Sequence, residues 1–266
     1  MKKVILSQLP HGFPWADRIR WFDTIGSTNT EAKQLADQGA PHGTALIAGH
    51  QTGGRGRLGR NFQSPAGKGV YLSLILRPNC PPQSLMHLTC AAAAAMCNAI
   101  EDTAGFRPGI KWTNDLVFNR KKLGGILTEL SVDPVTGLIR YVVIGIGINC
   151  TQQPEEFSPE LRDMASSLSA VAGRTVSPCS LAAAMLSSLH SMDKNLLAGK
   201  ASILSSYRKD CVTLGQEIVL IRGEDRQYGT ALDIDDEGGL LVRFQDGALR
   251  TVTSGEVSVR GMYGYL

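Results

Sequence analysis

The residues best suited to chemistry in this 266-residue chain are Gly54-Arg55-Gly56-Arg57-Leu58-Gly59-Arg60. Three glycines free the backbone to wrap a ligand and present N–H groups to it. Three arginines add forked donors suited to phosphate or carboxylate. A solvated basic loop or an RNA contact would have the same composition. Two features favour a small-molecule site: the loop is short and lies between two expected strands, and it follows Gln51-Thr52 at a strand end. Ser27-Thr28-Asn29 open an expected helix, where free N–H groups and these side chains can hold ligand atoms or simply cap the helix. Lys111-Trp112-Thr113-Asn114-Asp115 is followed by Lys122-Leu123-Gly124-Gly125. Strand alternation predicts Lys122, Gly124, Ile126 and Thr128 on one face, with Lys122 beside a gap that a phosphate or carboxylate can enter. Arg120 and Lys121 read as a solvated turn. Asn114 and Asp115 are either turn residues or a pocket's amide and carboxylate. Gly145-Ile146-Gly147-Ile148-Asn149 puts both glycines and Asn149 on one face, for ligand approach or for helix packing.

The elements that must hold these groups follow from pattern. Residues 1–20 read as an irregular lead-in broken by Pro10 and Pro14, and Trp21–Ile25 as a short strand. Ser27–Asp37 reads as a helix, with capping-box spacing from Thr28 to Glu31 and Gly39 at its C-terminal end. Strands are predicted over Thr44–Ala48, Val70–Leu76, Ile110–Phe118, Leu123–Ser131 and Tyr141–Asn149. Helices are predicted over Pro82–Ala104 and within 178–208, and 151–177 is loop-rich. From Glu217 short strands recur between turns (Glu217–Ile221, Tyr228–Ile234, Leu240–Phe244, Leu249–Thr253, Val257–Arg260), the texture of a small β-barrel. Mixed strands and helices before that module give an α+β class.

Composition narrows the alternatives. A 43% hydrophobic content at this length supplies a core without metals or disulfides. The apolar stretches are too short to span a bilayer, and no signal peptide is read. A net charge of +3 is too small to argue for nucleic-acid or membrane binding. The six cysteines form no CxxC pair and the five histidines show no metal-ligand spacing, so no metal site is assigned and a reduced, cytoplasmic setting is expected. There is no Ser/His/Asp arrangement and no P-loop. Cations with glycines suit charge stabilisation at a phosphorus centre.

In this order the motifs resemble those of the biotin–protein ligases. That family's pattern runs STN, Gln-Thr, GRGRxGR, KWPND, KLxGIL, GxGIN and a C-terminal SGEVS. This chain has Ser27-Thr28-Asn29, Gln51-Thr52, Gly54–Arg60, Lys111–Asp115, Lys122–Leu127, Gly145–Asn149 and Ser254-Gly255-Glu256-Val257-Ser258. Seven weak motifs in register, across roughly residues 20–260, make coincidence improbable. The resemblance implies a class II synthetase-like mixed sheet with helices (1–212) and a small C-terminal SH3-like β-barrel (213–266). It implies that ATP and biotin form biotinyl-5′-AMP, and that a lysine of a biotin carboxyl carrier domain of a carboxylase then takes the biotinyl group. By the same resemblance Ser27, Thr28, Asn29 and Gln51 look like biotin-head contacts. Arg55, Gly56 and Arg57, with Gly54, look like the loop that closes over the adenylate. Lys122 looks like the cation on the biotin carboxylate and α-phosphate. Gly124, Gly125, Gly145 and Gly147 leave room for the ligand, and Trp112, Asn114 and Asn149 join the substrate site. Lys122, Arg57 and Asp115 are the expected catalytic set, Asp115 as base or orienting group for the acceptor lysine. Mg²⁺ is expected with ATP.

Thr113 and Phe62 depart from the family's usual proline and tryptophan. Some members carry an N-terminal helix-turn-helix and act as repressors. Only about twenty residues precede the expected catalytic domain here, so no DNA binding is expected. A homodimer is left open. Two rival readings share these residues. A lipoate–protein ligase shares the adenylation logic but has a longer RRxSGGG-type element in place of GRGRLGR. A nucleic-acid-binding protein would use Gly54–Arg60 and the C-terminal barrel, which is not basic.

Overall fold

The computed structural model describes residues 1–253 and 258–261. In chain order the elements are α1 (Lys2–Leu6), β1 (Ile19–Phe22), α2 (Thr28–Asp37), β2 (Thr44–Ala48), β3 (Gly69–Leu76), α3 (Leu88–Ala104), β4 (Gly109–Lys111), β5 (Asp115–Phe118), β6 (Lys121–Val132) and β7 (Ile139–Asn149). The short helices α4 (Pro159–Arg162) and α5 (Leu168–Ala172) lead to α6 (Pro178–Asn195) and α7 (Lys200–Asp210). Strands β8 (Glu217–Arg222), β9 (Asp225–Ile234), β10 (Leu240–Phe244), β11 (Leu249–Val252) and β12 (Ser258–Gly261) follow. The first seven strands form one mixed sheet, in the order β1-β2-β3-β7-β6-β5-β4, with β1 parallel to β2 and the other pairs antiparallel. The last five form an antiparallel sheet, in the order β11-β10-β9-β8-β12, as expected of an SH3-like module. Among the described residues, no helix is long and apolar enough to cross a membrane.

Side-chain alternation decides what each face of the large sheet does. On β3 and β7, Val70, Leu72, Leu74, Leu76, Val142, Ile144, Ile146 and Ile148 point into the main core. That core is shared with α3 and α6, and the buried run Ala91–Ala95 of α3 keeps the packing close. The opposite parity, Ile75, Tyr141 and Val143, packs under Ala32 and Ala36 of α2. Farther along β7 the same parity reads Gly145, Gly147, Asn149. Gly145 stands opposite Ser73, and Gly147 opposite Tyr71. The helix-covered face therefore gives way to a floor without side chains just beyond the N-terminus of α2.

Several expectations need correction. The lead-in is not irregular: α1 and a 3-10 turn over Ala16–Arg18 lead to β1, and Ile5, Leu9, Phe13 and Trp15 are buried. Burial of these apolar side chains stabilises a segment that its prolines suggested was a loop. The helix expected from Pro82 begins as a 3-10 turn and is α-helical only from Leu88. Ile110–Phe118 is not one strand: β4 and β5 form a hairpin, with Lys111 opposite Asp115 and the turn at Trp112-Thr113-Asn114. The register of β5 on β6 shifts between Leu116 and Val117, so Lys122 pairs with Val117 and Gly124 with Leu116. That irregularity breaks simple alternation, so Gly125 shares the face of Lys122 and Gly124 does not. Of the strand expected at Val257–Arg260, Ser258 onward is described. Ser254–Val257, most of the last motif, lies outside the described residues.

Candidate active site

A cleft of about 430 Å³ opens over the glycine floor. It collects nearly every sequence-expected residue: Ser27, Thr28, Asn29 and Gln51 at one end; Arg55, Gly56 and Arg57 above; Trp112, Asn114, Asp115, Lys122, Gly125, Gly145, Gly147 and Asn149 around the rest. Gly54 does not line it. It lies behind the loop, where a Cβ would collide with the Phe62 carbonyl and the Ser64 hydroxyl. Gly124 is also outside the cleft, and a Cβ there would meet the Gly147 carbonyl.

Backbone pairing shapes the arginine loop. Residues 51–64 fold into a hairpin: the Phe62 N–H donates to the Gly54 carbonyl at 3.0 Å, and the Gly56 N–H to the Arg60 carbonyl at 2.7 Å. Leu58 at the tip has φ +56° and is half exposed. The loop arches over the cleft, and Phe62 lies edge-on to Tyr71. A Cβ on Gly147 would fall 2.6 Å from the Phe62 ring, so that glycine is needed for the loop to lie close.

The cationic end is built by the β4–β5 turn and the start of β6. Lys122 Nζ donates to Asp115 Oδ1 at 2.6 Å, and a Cβ on Gly125 would come within 3.2 Å of Asp115 Oδ1 and 3.3 Å of Nζ. The backbone at Lys122 is clamped by the Met164 carbonyl at 2.7 Å and the Ser166 N–H at 2.9 Å. Arg57 Nη1 donates to Asn114 Oδ1 at 3.0 Å, and Asn114 Nδ2 donates to the Ile126 carbonyl at 2.9 Å. Burial pulls the Arg57 pKa below its usual value, partly offset by the charge of Asp115. Behind the turn, Tyr207 of α7 donates to the Thr113 carbonyl at 3.0 Å. The Trp112 indole donates to the Gly238 carbonyl at 3.0 Å, and the Trp112 N–H to Thr213 Oγ1 at 2.9 Å. Helix α7, the segment after it and the β9–β10 turn thus hold the β4–β5 turn from outside the cleft. The Trp112–Thr113 peptide bond is cis.

At the opposite end, the expected Thr28–Glu31 capping box is not the bonding that occupies Thr28. Its N–H and hydroxyl both donate to Gln51 Oε1, at 2.8 and 3.0 Å. Gln51 Nε2 donates to Ser64 Oγ at 3.0 Å. Asn29 is tied to Ser73, Leu127 and Glu129. Sequence reasoning did not single out Ser73, Ser64, Glu129 or the 161–165 wall. Ser73 carried a readable signal, as the one polar side chain in Val70–Leu76 apart from the tyrosine hydroxyl. Asn149 Nδ2 donates to the Ser166 carbonyl at 3.1 Å, so it anchors the 164–166 segment as well as lining the cleft.

A mixed sheet with a cationic, glycine-floored cleft and an SH3-like appendage defines an adenylate-forming ligase architecture. The Biotin/lipoate A/B protein ligase family model matches residues 21–149, and the Biotin protein ligase C terminal domain model matches residues 213–260. The chain is 38% identical over 240 residues to the bifunctional ligase/repressor BirA of Bacillus subtilis, covering 90% of this chain and 73% of that protein. It is 32% identical over 238 residues to the biotin–[acetyl-CoA-carboxylase] ligase of Mycobacterium tuberculosis, covering 87% and 85%. The structure of biotin protein ligase from Aquifex aeolicus in complex with biotin and ATP superposes with a TM-score of 0.77 at 29% identity, over 91% of this chain and 98% of that one. The chain belongs to the biotin protein ligases of the biotin/lipoate ligase family.

Proposed function

We propose that this chain is an ATP-dependent biotin–protein ligase: it makes biotinyl-5′-AMP and transfers the biotinyl group to a lysine of a biotin carboxyl carrier domain. The observation that carries the reading is one cleft with a hydrogen-bonded polar end at Thr28, Asn29 and Gln51 and a cationic end at Lys122 and Arg57. That division matches an acid whose polar ring and carboxylate lie at opposite ends.

In the first half-reaction a biotin carboxylate oxygen attacks the α-phosphorus of ATP and pyrophosphate leaves. Two anions must meet, so Lys122 and Arg57 lower the repulsion and stabilise the charge that develops. The Arg55–Arg60 loop shields the mixed anhydride from water. In the second half-reaction the acceptor lysine amine attacks the acyl carbon and AMP leaves, with Asp115 beside Lys122 orienting the amine or taking its proton. Among the described residues no three His, Cys, Asp or Glu side chains cluster as a metal site. Mg²⁺ is expected to enter with ATP, held by its phosphates and water. The catalytic unit is assigned to 1–212 and the SH3-like module to 213–266, in keeping with the second family match starting at 213.

Exchange of labelled pyrophosphate into ATP by the purified protein tests the reading. Exchange with biotin, and not with lipoate or octanoate, is expected. Exchange with lipoate or octanoate would instead favour a lipoate ligase, and none with any acid from folded protein would refute adenylation.

A further inference from the structure

Glu129 lies on β6 beyond the part of that strand paired with β5. Its Oε2 accepts a hydrogen bond from Asn29 Nδ2 at 2.9 Å, and its Oε1 accepts one from Lys33 Nζ at 2.7 Å. Burial pushes the carboxyl pKa up, but the bonds from Lys33 and Asn29 and the charges of Lys33 and Arg55 outweigh this and hold it below the usual carboxylate value. These are the groups facing it from α2 and from the arginine loop. The Leu127 carbonyl lies 3.5 Å from the same Asn29 nitrogen. On the other side, the Ser73 hydroxyl lies 2.6 Å from Asn29 Oδ1 and 2.8 Å from Thr28 Oγ1, with one proton shared between the two acceptors.

An amide can point either way, and its neighbours decide which. Here the nitrogen faces a carboxylate and a carbonyl, which only accept, while the oxygen faces a hydroxyl, which can donate or accept. A flipped amide would set its oxygen against the Glu129 carboxylate, so the ionised carboxylate locks the orientation. The locked oxygen stands over the floor: a Cβ built on Gly145 would land first on Asn29 Oδ1. Oδ1 has a second lone pair, and Asn29 lines the cleft.

We infer that Glu129, tethered by Lys33, is a positioning residue that turns Asn29 Oδ1 toward the cleft as a fixed acceptor for a ring N–H of the bound acid. This rests on the biotin-ligase reading, because a cyclic urea presents such an N–H and a dithiolane or a plain alkyl chain does not. Without the carboxylate, Asn29 can present its NH₂ to the ligand N–H, donor against donor.

The experiment is steady-state pyrophosphate exchange with the full chain, varying biotin and ATP separately. For Glu129→Ala the biotin KM is expected to rise about tenfold, the scale of one buried hydrogen bond, with the ATP KM and the kcat at saturating biotin within about twofold of the unaltered protein. Glu129→Gln keeps the bulk but has one acceptor oxygen, which the Lys33 ammonium takes, so its NH₂ turns toward Asn29 and the biotin KM is expected to rise in the same direction. This variant decides the matter if Glu129→Ala does not fold. An unchanged biotin KM in folded Glu129→Ala, or in Glu129→Gln where that variant decides, would overturn the inference. Equal loss of kcat and of ATP affinity would also overturn it, because it would indicate general damage to the site. If the unaltered protein shows no biotin-dependent exchange, the ligase reading fails first. If it exchanges normally and the variants match it, only the positioning role fails.

Discussion

Replacing Lys122 with methionine removes one charge while keeping most of the side-chain bulk. In the resting cleft the lysine ammonium lies 2.6 Å from Asp115 Oδ1, with the two side chains 30% and 18% exposed. At about 4 Å and an effective dielectric near 20, a pair of unit charges attracts by roughly 4 kcal/mol before desolvation is counted. For a partly buried pair, desolvation offsets most of that attraction, and the net contribution to folding is about 0–1 kcal/mol. The transition state makes a larger demand. A carboxylate and an α-phosphate converge where the lysine stands, and losing one aligned donor at such a centre costs roughly 10²–10³ in rate, about 2.7–4 kcal/mol. The substitution also deprives Asp115 of one cationic neighbour, which leaves more negative charge facing two anions. The expected result is a fall of at least about a hundredfold in biotin-dependent pyrophosphate exchange, with urea stability changed by no more than about 1 kcal/mol. Exchange and urea unfolding on the same preparation separate the two readouts. Exchange within a few-fold of the unaltered protein, from a folded sample, would refute the assignment of Lys122 to the reacting centre. A loss of exchange matched by an equal loss of stability would show that the lysine acts only through the fold.

Three further outcomes follow from the same geometry. Arg57→Gly removes the 3.0 Å contact from the loop to Asn114; adenylate is expected to form but to escape at least about tenfold faster, read as biotin-dependent AMP release without acceptor, and an unchanged off-rate would count against loop closure. Tyr207→Phe takes the hydrogen bond from the buried Thr113 carbonyl, so a stability loss of about 1–3 kcal/mol is expected together with weaker adenylation, and wild-type values for both would remove α7 from the support of the turn. His87 is buried, donates from Nε2 to the Leu196 carbonyl at 2.8 Å, and has no partner on Nδ1 among the described residues. Burial lowers its pKa, while the unfolded chain takes up that proton near pH 6.5. Its contribution is therefore complete above about pH 6.5 and declines as pH falls through that value toward the lower folded pKa. Urea unfolding at pH 7.5 and 5.5 should show this loss in the unaltered protein and a smaller one in His87→Gln; equal losses would exclude His87.

The sequence by itself determined the chemistry and most of the element order. Glycines and arginines in one short loop, Lys122 before two glycines, and Gly145 and Gly147 two apart on a strand are local patterns, legible because strand period and backbone freedom are local properties. The β-rich texture after Glu217 was legible for the same reason. Only the tertiary structure decided which of these groups meet. The register shift in β5–β6 put Gly125, and not the Gly124 of simple alternation, on the cleft face with Lys122, and no single-strand pattern records the pairing that causes it. Thr28 bonds Gln51, twenty-three positions away, and Asn29 bonds Glu129, a hundred positions away. The turn carrying Asn114 is held by Tyr207, Thr213 and Gly238, about a hundred residues on in the chain. Hydrogen-bond partners are chosen by proximity in the folded chain. A side chain's type limits what it can bond, and the packing of sheet, helices and C-terminal module decides what it does bond.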